Sequence, residues 1–66
     1  MEEARCRMKE LRQGRNMTQQ KLGQALNLTQ QAIYQYEAGR NTINIELLCK
    51  LADFFGVTTD FLLGRE

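Results

Sequence analysis

Among the side chains able to do chemistry in this 66-residue chain, amides stand out and catalytic groups do not. There is no histidine, and the two cysteines, Cys6 and Cys49, lie far apart in sequence, so neither a zinc site nor a disulfide framework has its ligands. Without a cofactor loop or a carboxylate pair tied to a pocket, no catalytic constellation can be assigned and no cofactor or metal is expected. What does group is glutamine. Gln30, Gln31 and Gln35 fall on one side of any helix that contains them. A glutamine amide offers one acceptor and two donors, which match adenine N7 and N6 in a bidentate pair. The same residues are also ordinary solvated helix formers, so their meaning depends on the elements that place them.

Those elements are marked by a boundary pattern that occurs four times. Each instance is an apolar residue, then Thr or Asn, three more residues, then another apolar residue. The pattern reads Met17-Thr18 to Leu22, Leu28-Thr29 to Ile33, Ile43-Asn44 to Leu48, and Val57-Thr58 to Leu62. Thr and Asn cap helices by accepting from an otherwise unpaired backbone N–H, and the flanking apolar pair staples the entry. Helices are therefore predicted over about 19–26, 30–38, 45–55 and 59–63. A first helix over about 3–15 precedes them, with Ala4, Met8 and Leu11 on one face and Asn16 closing it. The predicted inward residues are Leu22 and Leu26, then Ile33 and much of Tyr36, then Leu47, Leu48, Leu51, Ala52 and Phe55. The stops are Gly39, Gly56 and Gly64. The expected fold is all-α, a five-helix bundle forming a single domain over 1–66.

Composition sets few further bounds. Two unpaired cysteines suit a reducing cytoplasm, and Cys49, among apolar neighbours, is expected in the core. No apolar run approaches the roughly 18 residues of a membrane span, and nothing resembles a signal peptide, so a cytoplasmic protein without a membrane partner is expected. Net charge is only +1, yet it is unevenly spread. Arg5, Arg7, Lys9, Arg12 and Arg15 lie early, whereas Glu46, Asp53, Asp60 and Glu66 lie late. Such an arrangement favours one face meeting an anion, although solvated helix faces produce it as well.

The helix starts at Thr18 and Thr29 leave only Leu26-Asn27-Leu28 for the turn between two helices, a connection that crosses them at roughly 90–120°. Gly23 allows close approach there, and Asn27 can take the left-handed conformation. The stretch 17–39, MTQQKLGQALNLTQQAIYQYEAG, resembles the helix-turn-helix of the Cro/C1 (XRE) family of bacterial and phage regulators. The likeness extends to Arg12, to Ile45-Glu46-Leu47-Leu48, and to the closing Gly56-Val57-Thr58-Thr59-Asp60-Phe61-Leu62-Leu63. Asn27 and Gly23 depart from the family's more frequent Gly and Ala.

The resemblance implies a lambda-repressor-like fold, a motif over about 18–38, and a second helix (30–38) that enters the major groove of double-stranded DNA. Gln30, Gln31 and Gln35 match base-reading glutamines of certain lambdoid phage repressors. Gln19, Tyr34, Arg40, Asn41 and Thr42 are the implied backbone contacts, and the other early cations are expected to be solvated. Arg12 and Glu37 are implied to form an internal ion pair. A repressor acting as a homodimer on a palindromic operator is expected, with Ile43, Thr59 and Phe61 at its interface. Phe61 is expected at the surface, and Leu62 and Leu63 in the core. A protein regulator is a further expected partner. The competing reading is the same fold used as a protein-interaction adaptor or antitoxin module, because fold does not settle function.

Overall fold

Every helix start marked by the Thr and Asn pattern carries its cap in the computed structural model, which describes residues 7–65. Helix α2 (Gln19–Leu26) follows Thr18, whose hydroxyl accepts from the Lys21 N–H at 3.0 Å. Helix α3 (Gln30–Glu37) follows Thr29, which accepts from the Ala32 N–H at 3.0 Å. Asn44 caps α4 (Ile45–Phe55) by accepting from the Leu47 N–H at 2.8 Å, and Thr58 caps α5 (Thr59–Leu62) by accepting from the Phe61 N–H at 3.0 Å. Helix α1 (Met8–Gly14) starts differently: Arg7 is its N-cap and makes no side-chain cap bond. The expected earlier turns of this helix, with Ala4 and Cys6, lie outside the described residues.

The helices also stop alike. A left-handed residue follows each last turn, at Asn16, Asn27, Gly39, Gly56 and Gly64, with φ between 56 and 78°. The next N–H then reaches back five residues. Met17 donates to Arg12 O at 3.1 Å, Leu28 to Gly23 O at 2.7 Å and Arg40 to Gln35 O at 2.9 Å; Val57 donates to Ala52 O at 3.0 Å and Arg65 to Asp60 O at 2.9 Å. This is the Schellman closure, which supplies partners for carbonyls that a helix end leaves unpaired. Asn tolerates the left-handed state better than other residues with a Cβ.

Among the described residues five helices thus form an all-α bundle of about 28 × 24 × 21 Å. Its core gathers Met8, Leu22, Leu26, Ile33, Leu47, Leu51, Ala52, Phe55 and Leu62. Leu11, Met17, Leu28, Tyr36, Ile43, Leu48, Phe54 and Val57 pack around them, half-buried.

Three expectations need correction. Cys49 is exposed, not core. It stands two residues from both Leu47 and Leu51, about 200° around the helix from the buried stripe, on the side that leaves Ile45 77% exposed. Leu63 is also exposed, because α5 has a single turn and aims only Leu62 inward. Phe61 is half-buried rather than free, with the Arg7 guanidinium 4.6 Å from its ring centroid. No helix among the described residues is long and apolar enough to cross a membrane.

Candidate nucleic-acid interface

The motif depends on a close contact between the start of α3 and the middle of α2. Gly23 is buried, and a Cβ there would lie 2.6 Å from Leu28 O and 3.2 Å from the Thr29 carbonyl. A bare backbone at 23 lets the turn sit directly on α2, while Asn27 at φ 64° reverses the chain. Leu22, Leu26 and Ile33 fill the inner angle, with Leu28 half-buried beside them. This packing decides which side of α3 is left outside.

Ile33 is fully buried and Tyr36 half-buried, so Gln30, Gln31 and Tyr34 face solvent, with Gln35 half-buried at the margin. The outward face is uncharged and polar along its first turn. Beyond Glu37 the chain folds back over it. The Arg40 guanidinium lies 5.8 Å from the Tyr34 ring centroid, and Asn41 donates through Nδ2 to Gln35 Oε1 at 2.9 Å. Arg40, Asn41 and Thr42 are all exposed, whereas Ile43 turns partly inward.

Behind α3, Arg12 and Glu37 come together. Arg12 Nε donates to Glu37 Oε2 at 2.7 Å and its Nη2 donates to Oε1 at 3.1 Å, while Nη1 donates to Met17 O at 2.8 Å. Gln19 Nε2 adds a donation to Glu37 Oε1 at 3.1 Å. The two charged side chains are only 10% and 3% exposed. Their fork geometry supplies the partners that buried charges require. The network ties α1, the start of α2 and the end of α3 into one unit. It also turns the Gln19 side chain toward Glu37, which leaves the first-turn backbone N–H groups of α2 as its outward chemistry.

Sequence reasoning missed two arginines. Arg15, grouped among the solvated cations, donates to Phe55 O at 2.8 Å and to Phe54 O at 3.4 Å, and lies 5.0 and 5.7 Å from those residues' ring centroids. It therefore binds the carboxyl end of α4, where a cation complements the helix dipole. Arg7 covers Phe61 in the same manner. Both contacts join residues far apart in the chain, and no local pattern announces them. No cluster of potential metal ligands occurs among the described residues.

Comparison with known proteins places the same stretch in a defined class. A family model described as helix-turn-helix matches residues 8–62. The chain is 38% identical over 60 residues to the HTH-type transcriptional activator BcrR of Enterococcus faecalis, covering 91% of this chain and 29% of that protein. It is 37% identical over 57 residues to the SPbeta prophage-derived uncharacterized HTH-type transcriptional regulator YonR of Bacillus subtilis, with 86% and 53% covered. Over 60 residues it is 38% identical to the HTH-type transcriptional regulator AnsR of Bacillus subtilis, with 91% and 52% covered. The chain thus spans about half the length, or less, of these relatives.

Proposed function

Because the chain belongs to the helix-turn-helix family of HTH-type transcriptional regulators, of the Cro/C1 (XRE) kind, we propose that it binds operator DNA sequence-specifically and represses transcription as a homodimer. The observation that carries this reading is the outward face of α3, where Gln30, Gln31 and Tyr34 stand exposed on a helix immobilised from behind by Arg12 and Glu37. An uncharged amide face suits base edges, which present donors and acceptors without net charge. A protein-docking helix would instead present a cluster of leucines or aromatics, whereas on this face Tyr34 stands among amides.

In this reading α3 lies in the major groove with Gln30, Gln31 and Gln35 at base edges. Affinity comes from phosphate contacts, which position the domain without specifying sequence. Those contacts are the α2 N-terminus at Gln19 and the segment of Tyr34, Arg40, Asn41 and Thr42. One reading helix covers about four to six base pairs, too few for a useful specificity ratio, and a two-fold dimer doubles the footprint. We place Ile43, Thr59 and Phe61 at the dimer contact. Repression is the assigned sign because occupancy of a promoter site is enough to produce it.

Selection of bound sequences from random duplex DNA tests the proposal. The expected product is a palindrome whose half-sites are centred about 34 Å apart, one helical turn. Enrichment of an isolated half-site would remove the dimer, and the absence of any enriched sequence would remove specific recognition.

A further inference from the structure

Gln35 differs from the other two glutamines of α3 because a second side chain holds its amide while the loop caps its carbonyl. Its main-chain carbonyl accepts from the Arg40 N–H at 2.9 Å and from the Asn41 N–H at 3.4 Å. Its side-chain Oε1 accepts from Asn41 Nδ2 at 2.9 Å. The cause is the helix closure. With Gly39 at φ 78° the chain reverses onto the last turn of α3, which brings a short asparagine side chain within reach of the amide of Gln35, four residues before that glycine. Arg40, set over the Tyr34 ring at 5.8 Å, holds the same segment from its other side.

An untethered glutamine rotates about its last torsion and presents either amide end, so it can satisfy a donor, an acceptor, or the mixed edge of adenine. A glutamine tethered to another amide turns only if its partner turns with it. From this geometry we infer that Asn41 is a positioning residue for base readout: it holds the Gln35 amide oxygen toward the loop and leaves the two Nε2 hydrogens as the face offered to DNA. The base that Gln35 meets should then present acceptors. Guanine, with N7 and O6, or thymine, with O4, fits that requirement, whereas cytosine offers only its N4 donor. This rests on the proposed reading of α3 as the DNA-reading helix and adds to it a polarity for one of the three glutamines, unlike the adenine match open to Gln30 and Gln31.

The test is the base preference at each operator position for wild type, Gln35→Ala, Asn41→Ala and Asn41→Asp, measured by competition among single-substituted duplexes and normalised to each variant's own best site. Gln35→Ala identifies the position by flattening it. Asn41→Ala should weaken the guanine or thymine preference there by about two- to tenfold. Asn41→Asp, whose carboxylate only accepts, must draw Nε2 toward the loop and turn Oε1 outward, so the preference should move to cytosine or adenine. Normalisation removes the uniform loss that an added negative charge causes beside phosphates. A flattened position in Gln35→Ala with unchanged preference in both Asn41 variants would overturn the positioning role and leave the reading of α3 standing. Lower absolute affinity for every duplex, with all preferences unchanged after normalisation, would do the same, reducing Asn41 to a phosphate contact. No change of preference in Gln35→Ala would overturn the inference at its premise.

Discussion

An amide at the start of α3 and a guanidinium in the loop after it divide the work of recognition differently. Gln30 is uncharged and exposed at the first position of α3, so its energy is collected only where a base edge matches it. Gln30→Ala should cost about 1–3 kcal/mol on the preferred operator and relax preference at one position. Arg40 carries full charge to the surface beside Tyr34, and Arg40→Ala should weaken specific and scrambled duplexes equally while lowering the salt slope by about one. Titrations of both duplexes across a salt series separate the two. Equal losses for Gln30→Ala on both DNAs, or an unchanged slope for Arg40→Ala, would reverse the assignments. At this scale legibility from sequence was uneven. The outward glutamines could be read because one turn of helix decides their side. The tether from Asn41 to Gln35 and the Arg15 contacts with Phe54 and Phe55 could not, since each depends on where a separate segment folds back.

Helix boundaries were the most legible feature, for a physical reason. A cap is a contact between residue i and the N–H of residue i+3, as Thr29 to Ala32 shows, so the full interaction is written within four letters. The Asn and Gly stops are local in the same sense. Burial was less legible: Cys49 sits between leucines in sequence yet across the helix from them in space. What binds element to element is the Arg12–Glu37 pair, and it makes a sharp prediction. Arg12→Met leaves the nearly buried Glu37 carboxylate with the Gln19 amide alone and should destabilise by about 3–5 kcal/mol. The double variant Arg12→Met with Glu37→Leu should recover much of that loss, because no unpaired charge remains. Denaturant midpoints measure both. Equal losses in the single and double variants would mean that packing by Arg12, not charge pairing, holds α1 to α3.

At the scale of the molecule, a bundle about 28 Å long cannot reach two major grooves in successive turns, so the symmetric pairing proposed above decides the length of DNA read. Phe61→Arg replaces a ring stacked under Arg7 with a second cation. The fold, anchored by Leu62 and the α4 core, should persist by circular dichroism while cooperative binding to a palindrome is lost. Wild-type cooperativity in this variant would place the interface elsewhere. Ile45, the most exposed large apolar side chain among the described residues, is then the anchor to test, through Ile45→Lys.

One backbone bond has consequences for how such a domain is attached to anything else. The Arg7 N–H donates to Leu62 O at 2.7 Å, so the N-cap of α1 touches the end of α5. Force applied through the two flanks meets at that bond and is not drawn across the core. A body tethered at these two places would therefore hang from nearly one point, free to swivel, and would add almost nothing to the distance between its tethers. Joining the flanks by a short linker and opening the chain elsewhere should likewise be tolerated, since neighbouring ends are the geometric condition for circular permutation.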